Sequence, residues 1–430
     1  MDMIGGSIDN NNNNNNNNAL DAADVRRDFA VTRKTIYMNN GAIAPTPLST
    51  IKAVTNFLLK VSEDGPDSAA TAEYLTSLLN EVRTRISHLI NCDRDEVILT
   101  ESTTQGLNMV ARGISWDRGD SIVVRGGRHE HYANYLPWLA TAQAEGLALK
   151  EIKVDRNGFF DMAELQKAVV GDSSGARLIT MSHVLYNTGS IMPVEQVGKL
   201  AADAGALFCV DAAQSAGALP IDVKKIGCHF MAFPGFKWIC GPLGIGVLYC
   251  SKKAAEFLRP HFIGGESAVL SENNGGNNNN DNNNNNNVDI HDDEVLANLE
   301  MPARLQAGFR NYPGAAGLEA ALRYVLRIGI ENIAKRNARI SNVLREEIGK
   351  ISGVVLFGPE EESKRSSIVP FLLPEGNDPT AVVKKLEENN VIFAAREIGQ
   401  GKKVVRASPH FFNDETEAMT AVGHLKCLLS

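Results

Sequence analysis

The regular alternation of short apolar runs with amphipathic segments constrains the fold of this chain more than any other feature. Short apolar runs predict buried strands, and segments whose apolar residues recur at helical spacing predict helices. We predict strands at 96–100, 121–124, 147–154, 177–181, 206–210 and 244–250, and helices between them at 104–112, 132–144, 161–169 and 194–204. This alternation is typical of an α/β fold with a mainly parallel sheet covered by helices.

The pattern changes after residue 300. A helix-rich stretch at 317–351 precedes two apolar strands near 368–373 and 404–407. We therefore predict a large domain over residues 35–311 and a smaller C-terminal α+β domain over residues 312–430.

Two asparagine-rich tracts, at residues 10–18 and 273–287, interrupt the chain. Such tracts bury too little apolar surface to offset the entropy of an ordered chain. We predict a disordered or extended N-terminal segment over residues 1–34. We also predict a disordered insertion over residues 271–294, on a surface loop of the large domain.

Composition excludes several classes of partner. The chain has 43 Lys and Arg against 51 Asp and Glu, a net charge of −8, whereas nucleic-acid binding needs a basic footprint. No window approaches eighteen consecutive apolar residues, so we expect no membrane span. The six cysteines form no CxxC pair, and no targeting sequence is evident, so we predict reduced thiols and a cytoplasmic location.

Polar side chains follow four of the predicted strands and a further apolar stretch, HFMAF at 229–233, that we also take as a strand end. In an open parallel sheet, ligands bind beyond the carboxyl ends of the strands. These positions carry hydroxyls, an imidazole, an amide, a carboxylate and an amine, on Ser102 to Thr104, His131, Asn187, Asp211 and Lys237. We expect them to meet at one edge of the sheet.

Each of these groups has a chemical use and a plain structural alternative. Thr103 and Thr104 open a helix, where hydroxyls and free amides suit a phosphate but also serve as ordinary caps. Asp211 follows a buried strand, and it either pairs with a cation, such as a protonated pyridine nitrogen, or caps a local turn. A desolvated Lys237 would be a neutral nucleophile able to form a Schiff base; otherwise it is a surface lysine.

A metal site is not indicated. His129 and His131 are two residues apart, but no third ligand stands nearby to complete a site. The phosphate site, imidazole, carboxylate and amine together predict one pocket for pyridoxal phosphate.

Seven stretches of the sequence resemble the class V aminotransferase family of fold-type I pyridoxal-phosphate enzymes. They lie at 37–47, 100–108, 129–138, 186–194, 210–223, 233–249 and 405–413. The family includes cysteine desulfurases, selenocysteine lyases, carbon–sulfur lyases and isopenicillin N epimerase-like proteins. The resemblance implies the fold-type I architecture, pyridoxal 5'-phosphate as cofactor, a small amino acid as substrate and a homodimer.

The resemblance also implies roles for the residues around the cofactor ring. Lys237 would bond to the cofactor aldehyde and move the α-proton of the substrate, and Asp211 would pair with the pyridine nitrogen. His131 would stack on the ring face. Gln214 would hydrogen-bond the phenolic oxygen, and Asn187 would support that oxygen or the substrate carboxylate.

Further residues are expected at the two ends of the cofactor. Thr103 and Thr104 would hold the phosphate. Arg406 resembles the arginine that binds the substrate carboxylate, a task suited to a planar guanidinium, with Asn40 and Gly41 beside that carboxylate.

The sequence departs from the family pattern at the phosphate site. Phe236 replaces the usual histidine before the lysine, and Pro234 replaces a serine or threonine. Phe309 replaces a threonine that usually contacts the phosphate of the partner subunit. Arg310 is our candidate for completing phosphate binding.

The loop between Arg396 and Arg406 lacks the cysteine on which true desulfurases form a persulfide. We therefore predict a carbon–sulfur lyase that acts by β-elimination on a cysteine-like amino acid. The alternatives are a desulfurase or selenocysteine lyase that uses another cysteine, an epimerase or aminotransferase, and a catalytically silent scaffold.

Overall fold

The computed structural model describes residues 22–126, 130–171, 175–272, 294–399 and 401–430. Its strands are β1 (Ile36–Tyr37), β2 (Val97–Thr100), β3 (Ser121–Arg125), β4 (Ala148–Ile152), β5 (Leu178–Ser182), β6 (Leu207–Asp211), β7 (Phe230–Pro234), β8 (Gly246–Cys250), β9 (Ala268–Glu272), β10 (Glu294–Asn298), β11 (Val355–Leu356), β12 (Val369–Leu372), β13 (Val391–Ile392), β14 (Ala394–Gly399) and β15 (Lys402–Ala407). Its helices are α1 (Ala22–Arg27), α2 (Leu48–Asp64), α3 (Ala69–Ile90), α4 (Thr103–Gly113), α5 (Tyr132–Glu145), α6 (Met162–Val170), α7 (Val194–Asp203), α8 (Val223–Ile226), α9 (Lys252–Ala255), α10 (Tyr312–Ile328), α11 (Ile330–Gly349), α12 (Pro379–Glu388) and α13 (Glu415–Leu429).

The central sheet has the strand order β2-β8-β7-β6-β5-β3-β4. β8 runs antiparallel to both of its neighbours, and the other pairs are parallel. Apolar residues are buried on both faces: Val123 and Val210 pack into one cluster, and Ile122 and Cys209 pack into the other. This arrangement confirms the predicted α/β fold with a mainly parallel sheet covered by helices.

The C-terminal part contains an antiparallel sheet in the order β11-β12-β15-β14. One face of this sheet packs against α11, α12 and α13 through Phe371, Val405, Ala407 and their neighbours. The predicted smaller α+β unit is therefore present.

The position of the domain boundary, between residues 311 and 312, remains a prediction. α10 follows directly, yet its residues Leu318 and Leu322 belong to the main apolar cluster of the large domain. β1, near the start of the large domain, pairs with β13 of the C-terminal part. The two parts are thus joined by shared packing as well as by the chain.

The prediction of disorder over residues 1–34 is wrong for the described part of that segment. α1 and a 3-10 turn at Ala30–Arg33 precede β1. The fully buried ring of Phe29 stacks on Phe412 with ring centroids 4.4 Å apart, and Arg26 pairs with Glu417 at 2.7 Å. These contacts stabilise an ordered conformation for the residues that follow the first asparagine tract. The tract at residues 10–18 lies outside the described residues.

The predicted insertion over residues 271–294 begins and ends in ordered strands, so its bounds need correction. β9 and β10 pair in antiparallel register, with Glu272 opposite Glu294. Backbone hydrogen bonds between these strands hold the two ends of the insertion together. Residues 273–293, which include the second asparagine tract, lie outside the described residues.

No helix in the described ranges is long and apolar enough to cross a membrane.

Close packing between two helices generates a stability prediction. Gly198 lies in α7, and a Cβ atom at this position would lie 1.7 Å from the backbone oxygen of Ile226 in α8. We expect Gly198→Ala to lower the free energy of unfolding by about 3 kcal/mol, because the backbones must separate. Urea unfolding followed by circular dichroism measures the change.

Gly423→Ala is the matched control, because Gly423 also lies in a helix, α13, but its Cβ atom would meet nothing within 4 Å. This variant should be stabilised by up to about 1 kcal/mol. Equal unfolding midpoints for the two variants would contradict the packing argument.

Candidate active site

The candidate active site is a cavity at the carboxyl edge of the central sheet. Residues that follow β2, β3, β5, β6 and β7 line it, as expected for an open parallel sheet. Of the residues singled out in the sequence, the cavity brings together Thr103, Thr104, His131, Asp211, Gln214 and Lys237. Pro234 and Phe236 also line it.

Asp211 ends β6 in the centre of the sheet and is 3% exposed. Its Oδ1 accepts a hydrogen bond of 2.8 Å from the Ala213 amide, and no other hydrogen bond to this carboxylate is found among the described residues. Burial raises the pKa of Asp211 to about 6, although the Ala213 amide and the charge of Lys237 favour the ionised form. The carboxylate therefore has an oxygen available for a proton donor such as a pyridinium nitrogen.

Lys237 lies in the turn that follows β7. The turn is closed by hydrogen bonds from the Gly241 amide to the Gly235 carbonyl and from the Cys240 amide to the Lys237 carbonyl, at 2.8 and 2.9 Å. Burial lowers the pKa of the Lys237 amine to about 8, against the raising effect of Asp211. About a tenth of the amine is therefore neutral, and so nucleophilic, at pH 7, against less than about a thousandth for an ordinary lysine.

His131 caps the N-terminus of α5. Its Nδ1 accepts a hydrogen bond of 3.1 Å from the Ala133 amide, so the neutral ring carries its hydrogen on Nε2. Desolvation, followed by the charge of Lys237, lowers the pKa of His131 to about 4. Its ring contacts that of Tyr186 edge to face at a centroid distance of 5.1 Å. Because the residue remains exposed beside the cavity, its ring is accessible to a planar ligand.

The predicted phosphate end lies at the start of α4. Ser102 acts as the cap, since its Oγ accepts the Gln105 amide at 3.2 Å. Thr103 and Thr104 are the first helical residues, and their amides precede the first internal hydrogen bonds of the helix. The free backbone amides and the dipole of α4 make this end of the helix suitable for binding an anion. The capping interpretation thus holds for Ser102, and phosphate binding by the two threonines remains a prediction.

Gln214 connects the cavity to the loop that follows β1. Its Nε2 donates to the Gly41 carbonyl at 2.8 Å, and its Oε1 accepts from Trp238 Nε1 at 3.0 Å. A Cβ atom at Gly41 would lie 3.2 Å from Gln214 Oε1 and 3.3 Å from the Cζ of Arg406. A larger residue at this position would therefore require Gln214 or Arg406 to shift by a few tenths of an ångström.

Arg406 lies on β15 and is 1% exposed; it does not itself line the cavity but contacts Tyr186, which does. Its guanidinium donates to the Tyr186 carbonyl at 2.9 Å and to Asn39 Oδ1 at 3.0 Å. Burial lowers the pKa of Arg406 to about 9. Within the described residues it forms no ion pair with a carboxylate, so an anionic ligand would complete its environment.

Asn40 and Asn187 are also buried and do not line the cavity. Asn40 donates through Nδ2 to the Ser408 carbonyl at 2.8 Å. The Nδ2 of Asn187 donates to the Glu397 carbonyl at 3.4 Å. Their side chains connect the large domain to the C-terminal part, and the predicted contacts with cofactor or substrate are untested by this geometry.

Sequence reasoning missed a buried ionic network behind the cavity. Glu130, the residue before His131, pairs with Arg125 at 2.7 Å, with both side chains at most 1% exposed. Glu130 also accepts hydrogen bonds from Ser182 Oγ at 2.6 Å and from Asn134 Nδ2 at 3.0 Å. Burial would raise the pKa of Glu130, but Arg125 and these donors lower it below its usual value.

This network fixes the position of His131 by holding its neighbour against β5, where Ser182 pairs in register with Asp211. The signal in the sequence was an arginine at the end of a predicted strand and a glutamate five residues later.

The residues of the cavity fit pyridoxal phosphate. A buried carboxylate with a free acceptor site, a desolvated lysine amine, an accessible imidazole ring and a helix N-terminus lie around one space. A ring nitrogen, an aldehyde, an aromatic face and a phosphate are the matching groups of that cofactor.

Comparisons with known proteins agree with this assignment. The Aminotransferase class-V family model matches residues 36–418. A probable cysteine desulfurase from Methanothermobacter thermautotrophicus is 32% identical over 92% of this chain and 94% of its own length, and one from Pyrococcus abyssi is 32% identical over 94% and 97%. The apo structure of a cysteine desulfurase from Thermococcus onnurineus NA1 superposes with a TM-score of 0.83, 31% identity and coverage of 95% and 98%.

The chain therefore belongs to the class V aminotransferase family, as its motifs predicted, and it is a pyridoxal-phosphate-dependent enzyme of fold-type I.

Proposed function

We propose that the protein cleaves the carbon–sulfur bond of a cysteine-like amino acid by β-elimination. The observation that carries this proposal is that no cysteine of the described residues lines the cavity. All six cysteines lie within the described residues, and five of them are buried. Burial raises the pKa of these five thiols, so their reactive thiolate forms are disfavoured.

The exposed cysteine, Cys427, lies in the last turn of α13. α13 packs on the face of the C-terminal sheet that Val405 and Ala407 occupy, and Arg406 points to the opposite face. The sheet therefore separates this thiol from the cavity. Sulfur is then released to solution because no thiol of this chain is placed to receive it.

The residues in and beside the cavity have separate roles in binding the cofactor and the substrate. Thr103, Thr104 and Asp211 would hold the two ends of the cofactor, and Lys237 would hold its aldehyde. When bound, pyridoxal phosphate supplies an electron sink that stabilises negative charge at the α-carbon of the substrate. Arg406 would bind the substrate carboxylate, and its buried guanidinium without an acidic partner supports this role.

Lys237 is also suited to move the α-proton. An amine whose pKa is about 8 can accept a proton at Nζ and release it again near neutral pH. With cysteine and one water as reactants, elimination gives pyruvate, ammonia and hydrogen sulfide. His131, held neutral with its hydrogen on Nε2, can donate to an oxygen or sulfur that gains negative charge.

A cysteine desulfurase is the second candidate. The relatives with 31% and 32% identity carry that name, which favours it directly. This reaction gives alanine and needs a thiol acceptor for the sulfur. Transamination would give a keto acid that keeps its sulfur, and epimerisation would give the D-amino acid.

Two further properties are proposed. A homodimer is implied by the family, and the exposed rings of Phe262 and Phe309, 63% and 89% exposed on one groove, support an apolar contact there. Free thiols at all six cysteines support a reducing compartment such as the cytosol.

Product analysis tests elimination against desulfuration. We expect the holoenzyme to release pyruvate and ammonia in equal amounts from L-cysteine or an S-substituted cysteine, measured by mass spectrometry. Cys427→Ser should keep the wild-type rate, because that thiol takes no part. Alanine as the main product, with loss of activity in Cys427→Ser, would instead establish a desulfurase.

The pKa of Lys237 generates a pH prediction. Cofactor attachment needs the neutral amine, so the rate of attachment to apo protein should rise with pH through a midpoint near 8. Because Asp211 raises the pKa of Lys237, Asp211→Asn should move that midpoint to lower pH. The visible absorbance of the bound cofactor measures the rate.

Lys237→Ala is the blank for this experiment, and Lys199→Ala, which removes an exposed lysine of α7, is the matched control. A midpoint above about pH 10, where an ordinary lysine titrates, would contradict desolvation of the amine.

Light scattering tests the homodimer. We expect twice the mass of one chain, and Phe309→Glu should shift the population toward single chains because it places a charge in the contact. Met419→Glu, at a residue of α13 that is 53% exposed, should leave the mass unchanged. A single-chain mass for the unaltered protein would refute the proposed dimer.

A further inference from the structure

His410 is a fully buried histidine that contacts the turn carrying Lys237. It lies in the C-terminal part, in the segment between β15 and α13. Its Nε2 lies 3.0 Å from the backbone carbonyl oxygen of Trp238, the residue directly after Lys237. A carbonyl oxygen can only accept a hydrogen bond, so Nε2 carries the hydrogen and donates it. A side chain of the C-terminal part is therefore hydrogen-bonded to the backbone of the lysine turn.

The surroundings of His410 keep this donor in place. Its Nδ1 lies 3.4 Å from the Nδ2 of Asn337, a buried residue of α11. Its ring also contacts the indole ring of Trp238 edge to face, with the ring centroids 5.1 Å apart. Burial lowers the pKa of His410 to about 3, so the ring is neutral at physiological pH. The side chain thus presents a single N–H donor to the turn.

Three consecutive carbonyl groups of the lysine turn each accept one hydrogen bond. They belong to Phe236, Lys237 and Trp238. The Ala44 amide, from the loop after β1, donates to the first, and the Cys240 amide, within the turn, donates to the second, both at 2.9 Å. The third donor is His410. The backbone on both sides of the Lys237 side chain is therefore held from outside the turn.

The conformation of this turn needs such support. Cys240 has a φ of 61°, a left-handed conformation that is costly for a residue other than glycine. Gly217 packs so closely that a Cβ atom there would lie 2.7 Å from the Trp238 carbonyl oxygen. A strained backbone persists only where the surrounding contacts determine it. The hydrogen bond from His410 is one of these contacts, made one residue from Lys237.

We propose that His410 is a positioning residue, whose hydrogen bond to the Trp238 carbonyl fixes the backbone from which the Lys237 amine reaches the cofactor. The proposal rests on the role proposed above for Lys237. The ring contact also orients the Trp238 indole, whose Nε1 donates to Gln214 Oε1 at 3.0 Å. Lys237 and Gln214 both line the cavity, so His410 acts on two cavity residues without lining the cavity itself.

Two variants of similar size separate the hydrogen bond from the packing of the ring. Both remove the imidazole, but His410→Gln can place an amide N–H near the position of Nε2, whereas His410→Leu has no donor. We expect attachment of pyridoxal phosphate to the full-length apo protein to be at least about tenfold slower in His410→Leu, because misplacement of a reacting group by about 1 Å can cost about a hundredfold. His410→Gln should come within about threefold of the wild-type rate, because the hydrogen bond is restored. The visible absorbance of the bonded cofactor measures both rates.

Turnover by the holoenzyme gives a second measurement. For the cysteine derivative that the enzyme uses, kcat should fall in His410→Leu while KM stays within about twofold, because substrate binding is unchanged. His229→Leu is the matched control. His229 precedes β7, at the opposite end from Lys237, and its Nδ1 accepts the Phe208 amide at 3.1 Å. This variant should lower the urea midpoint of unfolding and leave the attachment rate unchanged.

The outcomes distinguish this proposal from the role of Lys237. A wild-type attachment rate in His410→Leu, or an equal loss of rate or of folded protein in both His410 variants, would overturn the positioning role, since the residue would then serve packing alone. Attachment at the wild-type rate in Lys237→Ala would refute the role of Lys237 and the positioning role with it. If Lys237→Ala gives no attachment and the two His410 variants behave alike, only the positioning role is refuted.

Discussion

The electrostatic interaction between the Asp211 carboxylate and the Lys237 amine is the one on which the rest of the site depends. Asp211 ends β6, and Lys237 lies in the turn that follows β7, the parallel neighbour of β6, at the carboxyl edge of the sheet, where the surrounding apolar strands remove water. Desolvation raises the pKa of the acid and lowers that of the amine, and their mutual attraction opposes both shifts. The pKa of the amine is thus held near neutral pH, so the lysine can act as a nucleophile or as a base.

The remaining residues of the site serve to maintain that environment. A buried network of Glu130, Arg125, Ser182 and Asn134 holds the start of α5, and with it His131, against the sheet. A buried ion pair of this kind contributes little net stability, but removal of one partner leaves an uncompensated charge. The network therefore fixes the position of the His131 imidazole and contributes little to the stability of the fold.

The sequence predicted the central sheet well because strands buried on both faces have a clear apolar signature. It also predicted several of the residues that line the cavity, since Asp211 ends one such strand and Lys237 lies in the turn after another. The pattern could not show long-range partners. Phe29 is ordered by its contact with Phe412, which is almost the whole chain away in sequence. The register of β14 against β15 places Arg396 on the same face of the C-terminal sheet as Arg406. Contacts between residues so far apart in sequence produce no local periodic pattern from which they could be predicted.

The hairpin of β9 and β10 has a consequence for how this gene can vary. Glu272 and Glu294 are paired, so the ends of the intervening connection are already fixed by the strands on either side. The entropy of closing a connection grows with the logarithm of its length, and a doubling costs about 0.6 kcal/mol. Expansion or contraction of the asparagine repeat between these strands should therefore be nearly neutral for folding, which leaves the length of the repeat free to drift between strains.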